Sequence, residues 1–368
     1  MSSGGRLVQI VPHAPGEAGG VGDFARQLAG RLQELHGITS VFLSAAPINS
    51  SRTADGFEVL SPLRDVFGKI DSSLAFLLHY VNYGYHPQGV PIWLPALLRR
   101  MQKSRGKRLL TVFHELYAAG SWRQSAFWLR PVQKHLVRVI ARLSAVSMVT
   151  NETHRAQLRQ LARGAHIIVQ PVPSNFGEPS ISSAELAGRD PHRWVICGGS
   201  ELIERSLATF RRNATFIPTA YSPRELLVVG GADRKTIRAS LAAIRDMRTH
   251  YYPHVEARVA TQILSSCTFA WIDYFHDAKV PLATILKSTV FAAYCAHGVI
   301  PVFPHNGSPV YLGRDILSGP FFVNQSEQKL PSEPERVAVA QELHHFYEQN
   351  ASTRRLAQTV ATALGPQS

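Results

Sequence analysis

Apolar residues fall into short continuous runs separated by longer amphipathic stretches, and the rhythm repeats along most of the chain. Residues 7–11 form one such run, and a loop with Gly16, Gly19, Gly20 and Gly22 follows. From Asp23 onward, Phe24, Leu28, Leu32 and Leu35 recur near one face of a helix that Gly37 ends. The next strand is predicted at 40–44, with others at 74–79, 109–113, 145–150 and 166–170. An aromatic, basic helix is expected over 122–142, and Asn151 reads as the cap of the helix after it. The first strand, its Gly-rich loop, the helix and the second strand make a β–loop–α–β unit.

The pattern breaks at Pro171-Val172-Pro173-Ser174-Asn175-Phe176-Gly177, and Pro, Ser and Gly dominate as far as Asp190. It restarts with a strand at 194–197, Gly198-Gly199 and a helix through Glu204 and Phe210. A strand at 226–229 ends in Gly230-Gly231, residues 233–250 read as helical and basic, and a strand at 269–272 leads into Asp273. The stretch from Lys287 to Pro304 then reads as a helix opened by Ser288 and Thr289, stopped by Gly298 and followed by a buried strand. A helical tail is expected over 333–364. Two α/β halves follow, with boundaries at residues 1–173, a linker at 174–192, a second domain at 193–345 and a C-terminal helix at 346–368 that packs back on the first domain.

A length of 368 residues suits two domains, and 45% hydrophobic with 18% charged content is ordinary for a globular chain. The formal charge of +13 is not ordinary, and favours phosphorylated ligands, nucleic acid or an anionic membrane surface. Cys197, Cys267 and Cys295 are far apart in apolar surroundings, without metal spacing or a disulfide framework. No signal-type apolar region opens the chain and no run approaches a membrane span, so a cytoplasmic protein is expected. Any membrane association would then be docking on the inner face.

The first loop matches neither a dinucleotide fingerprint nor a P-loop. The polar-aromatic segment Tyr80-Val81-Asn82-Tyr83-Gly84-Tyr85-His86-Pro87 and the pair His114-Glu115 each follow a strand, at the edge where open α/β sheets bind ligands. A helix N-terminus carrying Ser288 and Thr289 beside Lys287 is a candidate anion site.

Two such halves with a Pro-rich linker and a helical tail resemble the GT-B fold of nucleotide-sugar glycosyltransferases: two Rossmann-like α/β domains facing a central cleft. Four places carry the resemblance to glycosyltransferase family 4 and the related glycogen synthases. Gly19-Gly20-Val21-Gly22-Asp23-Phe24-Ala25 resembles the N-terminal Gly-rich loop and helix. His114-Glu115 resembles the active-site histidine segment, Gly230-Gly231 the end of the mid-domain strand, and residues 289–304 the helix–Gly–x–Pro–Val segment.

The resemblance implies transfer of a sugar from a nucleoside-diphosphate-sugar donor, UDP being the default base, to a hydroxyl acceptor on a glycan or lipid-linked saccharide. It implies retention of configuration without a metal or other cofactor, the leaving phosphate assisting deprotonation of the acceptor. Donor-binding candidates are the backbone at Gly20, Val21 and Gly22, with Lys287, Ser288, Thr289 and Arg205, and Lys279 in support. His114 would bond a donor-sugar hydroxyl or the reacting centre, with Glu115 either orienting it or capping the following segment; Asp23 would contact sugar hydroxyls; His79, Tyr83 and His86 would shape the acceptor side. The family's two glutamates, eight positions apart, fall here on Ile285 and Ala293.

That departure keeps open a catalytically inactive GT-B protein that acts as a binding or partner module. A nucleotide-sugar epimerase is a third reading and a basic nucleic-acid binder a fourth, although no recognised nucleic-acid module is present. Basic residues crowd the first half, from Arg99 and Arg100 through Lys134, Arg138 and Arg142. With residues 93–98 and Trp122, Phe127 and Trp128 they suit peripheral contact with anionic lipid.

Overall fold

The computed structural model describes residues 5–17, 20–47, 53–54, 56–61, 75–105, 108–118, 125–275 and 280–365. The chain divides into two compact units, residues 1–171 with 353–368, and residues 172–352. Lys279, Gly19 and Trp122 lie outside the described residues.

The first unit is built on β1 (Arg6–Val11), β2 (Thr39–Ser44), β3 (Thr53–Ala54), β4 (Phe57–Leu60), β5 (Ala75–Tyr80), β6 (Arg108–Phe113), β7 (Val146–Val149) and β8 (Ile167–Val169). They lie in the order β3-β4-β2-β1-β5-β6-β7-β8, parallel except for the β3–β4 pair. β5 is buried along its whole length, and β1, β2 and β6 along all but their first residues. Order reverses at β1, so right-handed crossovers place helices on opposite faces to either side of it. The helix Gly20–His36 buries Phe24, Leu28 and Leu32, and it carries the C-terminal helix Thr353–Leu364 against it, tied by Arg31 Nε to Thr353 Oγ1 at 3.0 Å.

The second unit holds β9 (Arg193–Cys197), β10 (Glu225–Val229), β11 (Arg248–Tyr252), β12 (Phe269–Trp271), β13 (Ile300–Phe303), the small pair β14 (Tyr311–Leu312) and β15 (Asp315–Ile316), β16 (Phe321–Val323) and β17 (Gln328–Lys329). The main sheet runs β11-β10-β9-β12-β13-β16-β17, reversing between β9 and β12. Trp194 stacks on Phe269 at 4.9 Å, and the buried indole N–H groups of Trp194 and Trp271 donate to Tyr221 O and Thr209 Oγ1.

Two expectations need correction. Residues 233–250 are not one helix: a helix spans Lys235–Ala242, and Arg248–Tyr252 is edge strand β11, pairing with β10. An edge strand buries little, so its polar residues hid it. The tail is two helices, Arg336–Asn350 in the second unit and Thr353–Leu364 in the first, broken at Ala351-Ser352. Within the stretch 174–192, Ser183–Ala187 is helical with a complete capping box between Ser182 and Glu185.

Candidate functional site

In the first unit the polar groups collect at the carboxyl edge of β1, β5 and β6. The loop after β1 leads into the helix Gly20–His36, whose first turn carries Val21, Gly22 and Asp23. A Cβ on Gly22 would stand 3.1 Å from Ala14 O and 3.3 Å from Pro15 Cα, so the helix start lies directly on that loop. Gly20 has open space around it. Asp23 is half-buried in the first turn, where the helix dipole favours a carboxylate.

His114 follows β6 and is partly buried. Its backbone N–H donates to Tyr80 O at 3.0 Å, and Phe24 packs edge-on against the ring at 4.9 Å between centroids. The first helix turn and His114 are thereby brought together. Dense surroundings hold the His114 imidazole neutral, its pKa lowered to about 4 by desolvation. Its ring is oriented by His79 Nδ1, 3.3 Å from His114 Nε2, and not by Glu115, which is exposed.

His79 is completely buried in β5, with its other ring nitrogen 2.8 Å from Gln9 Oε1. Burial, and then the charge His114 would carry, push its pKa well down. Both its nitrogens are engaged inside the protein, so the expected acceptor-side contact is replaced by support of His114. Tyr83 and His86 sit on and after the short helix Asn82–Tyr85 that follows β5. Tyr83 is exposed, and half-buried His86 accepts the Gln88 N–H at Nδ1, 3.2 Å away.

In the second unit the loops after β9 and β10 interlock. Gly230 has φ +96°, and a Cβ there would stand 2.6 Å from Gly198 O. Ser200 Oγ accepts the Ala232 N–H at 2.8 Å and fastens the two loops. Beyond the reversal, β12 and β13 open at their carboxyl ends on a cavity of about 380 Å³. Asp273, Tyr274 and Phe275 wall it on one side, His305, Asn306 and Ser308 on the other. The Asp273 carboxylate is nearly buried, 3.7 Å from His305 Nε2 and 4.0 Å from Arg205 Nε. Arg205 donates through Nε to Asp273 O (2.7 Å) and through Nη2 to Tyr274 O (3.1 Å). Through these two bonds the guanidinium braces the cavity wall.

Lys287 is half-buried at the end of the 3₁₀ segment Leu282–Lys287, and the helix Thr289–Ala296 begins two residues later. Ser288 caps that helix: its hydroxyl accepts the Phe291 N–H at 3.2 Å. Thr289 is partly exposed. None of the three lines the cavity, which touches the same 3₁₀ segment through Leu282 and Ala283. Ile285 and Ala293, standing where the family carries glutamates, are both fully buried. Tyr294, on the same helix, accepts the Cys197 N–H at 2.7 Å at the end of β9.

Asp273 and His305 were missed as site residues, though a carboxylate directly after a predicted strand was a readable signal. Gln9 and Ser40 gave none, being single polar residues inside apolar runs. Among the described residues no cluster of His, Cys, Asp and Glu is arranged to hold a metal, and no helix is long and apolar enough to cross a membrane.

No protein-family model matches this chain, and no curated protein matches it by sequence. Solved structures match it along nearly its whole length. One, an alpha-glucosyltransferase in complex with UDP-glucose and DNA containing an abasic site, superimposes with a TM-score of 0.59 at 11% identity, over 98% of this chain and 99% of that one. AviGT4, a glycosyltransferase involved in avilamycin A biosynthesis, gives 0.54 at 14% identity, over 98% and 96% of the chains. Anabaena HepE in complex with UDP gives 0.54 at 11%, over 98% and 99%. Likeness at such identities speaks for architecture, and with the two reversing sheets it establishes that this chain has the GT-B fold.

Proposed function

We propose that the chain is a glycosyltransferase that moves a sugar from a nucleoside-diphosphate-sugar donor to a hydroxyl acceptor on a glycan or lipid-linked saccharide. The observation that carries this reading is the cavity at the carboxyl ends of β12 and β13, beside the reversal of strand order, where open α/β sheets bind ligands. Structures of the same fold have been solved with UDP-glucose or UDP, which makes UDP the first nucleotide to try.

In this reading the second unit carries the donor. Asp273, held between Arg205 and His305, accepts hydrogen bonds from ligand hydroxyls in the cavity. Lys287 and the N-terminus of the helix Thr289–Ala296 offset the diphosphate charge. In the first unit, neutral His114 bonds a sugar hydroxyl and Asp23 another, with Gly20, Val21 and Gly22 letting backbone come close to a ligand. Tyr83 and His86 face the acceptor. Transfer proceeds with retention and without a metal, the departing phosphate taking the acceptor proton. The basic, aromatic surface with Arg99, Arg100, Phe127 and Trp128 serves peripheral contact with anionic lipid.

A second reading has its own observation. The glutamate positions are filled by buried Ile285 and Ala293, which pack as core and offer no carboxylate to a donor. A catalytically inactive GT-B module would tolerate that. Donor turnover separates the two: release of nucleoside diphosphate dependent on acceptor, abolished in Lys287→Ala and His114→Ala, supports the transferase. Tight nucleotide-sugar binding without turnover supports the module.

A further inference from the structure

Among the polar side chains buried in the first unit, three form a row across its sheet. Ser40 in β2, Gln9 in β1 and His79 in β5 are each no more than 1% exposed. Polar groups so deep are costly unless each finds a partner. These find one another. Gln9 Nε2 donates to Ser40 Oγ at 2.9 Å, Gln9 Oε1 stands 2.8 Å from His79 Nε2, and His79 Nδ1 stands 3.3 Å from His114 Nε2. The strands that carry them are neighbours in the order β2-β1-β5-β6, so the bonds run sideways through the sheet and end on His114 at its carboxyl edge.

The direction of this chain follows from which atoms can donate. With the Gln9 amide nitrogen committed to Ser40, its carbonyl oxygen faces His79 and can only accept. His79 Nε2 therefore carries the proton. A neutral imidazole has a single N–H, so His79 Nδ1 is bare and accepts from His114 Nε2–H. His114 is then left with Nδ1 unprotonated, on a residue that is only partly buried.

We propose that Ser40, Gln9 and His79 are positioning residues that set the tautomer of His114, so that it meets a ligand hydroxyl with a bare Nδ1 acceptor. The ligand half of this proposal rests on the glycosyltransferase reading; the tautomer half does not. Phe24, edge-on to His79 at 5.7 Å and to His114 at 4.9 Å, keeps both rings from turning. The arrangement costs the core three polar residues where Leu or Val would pack, which is intelligible if what they specify is a protonation pattern at the sheet edge.

The test is ¹⁵N NMR of the full chain labelled at histidine, with His114→Gln used to assign the His114 ring signals. The expected spectrum shows a pyrrole-type Nε2 and a pyridine-type Nδ1 for His114. In Gln9→Met, His79 keeps no acceptor at Nε2, so its proton moves to Nδ1 and His114 is driven to the Nδ1–H form. Ser40→Ala, a small change three hydrogen bonds away from His114, releases the Gln9 amide and yields both His114 forms. Transfer activity falls about tenfold in kcat/KM in Gln9→Met, the effect of one ligand hydrogen bond lost. A wild-type His114 protonated at Nδ1 overturns the proposal, as does a His114 tautomer unchanged in both variants. If the tautomers behave as expected and the wild-type chain neither binds nor turns over nucleotide sugars, the tautomer assignment stands and the glycosyltransferase reading is what fails.

Discussion

Replacing His114 by Gln should flatten the acid destabilisation of this protein by an amount that can be worked out. In the folded chain the His114 pKa is lowered from 6.5 to about 4 by desolvation. Above the ordinary value neither folded nor unfolded chain is protonated there, and the group adds no pH dependence. As pH falls below 6.5, the unfolded chain takes up a proton that the folded chain refuses, so stability drops until the folded value near 4 is reached. Between about pH 8 and pH 5 this one ring costs about 2 kcal/mol of unfolding free energy, and about 3 kcal/mol once both forms are protonated. His79, lowered by burial and in part by His114, acts in the same direction. The assay is urea denaturation of wild type and His114→Gln at a series of pH values, followed by a probe in residues 1–171. The variant should lose about 2 kcal/mol less than wild type between about pH 8 and pH 5, whatever its stability at neutral pH. Parallel curves for the two proteins would show that His114 titrates normally in the folded chain, and would refute the burial argument for a neutral imidazole.

Other outcomes follow from single contacts. Gly230→Ala forces a Cβ at φ +96° against Gly198 O, 2.6 Å away, and should lower the stability of the second unit by about 2 kcal/mol or more, read by chemical denaturation. Arg205→Met removes the donors to the carbonyls of Asp273 and Tyr274; it should cost about 2 kcal/mol and weaken nucleotide-sugar affinity, and Arg205→Lys should not restore either, because one ammonium cannot span both carbonyls as a planar fork does. Cys197 and Cys267 are buried thiols pushed up to about 12, and Cys295 is raised as well. All three should stay unreactive toward a disulfide reagent near neutral pH until denaturant is added.

The strand–helix rhythm was legible because parallel strands buried on both faces are mostly apolar, and glycines and caps punctuate what lies between them. Asn151 accepting the His154 N–H, Ser288 accepting the Phe291 N–H, and Gly298 at φ +58° after the helix Thr289–Ala296 are local events that neighbouring residues suffice to specify. Strand β11 escaped because an edge strand is held by one neighbour: Arg248 pairs with Glu225 in register, and His250 Nε2 lies 3.3 Å from Glu225 Oε1. That polar pattern reads as a solvated helix until β10 is in place. The site was half legible for the same reason. His114 and Asp23 stand where a strand ends and where a helix begins. The partners of His114 come from β1, β2 and β5, and only the order of strands in the sheet makes Ser40, Gln9 and His79 neighbours. Asp273 was visible as the residue after a strand, but its placement between Arg205 and His305 depends on three separate segments meeting. Ile285 and Ala293, read as departures from a motif, prove to be core residues whose burial accounts for their apolar character.

The central claim, a nucleoside-diphosphate sugar as donor, is tested most directly by thermal shift with UDP, GDP, ADP, CMP and dTDP, each with and without its common sugars. A ligand that binds only the folded protein raises its stability by mass action, by about 2.7 kcal/mol at one hundred times the dissociation constant. The account predicts a clear upward shift for one nucleotide, larger with its sugar attached and diminished in Lys287→Ala. No shift with any of them at millimolar concentration would contradict it.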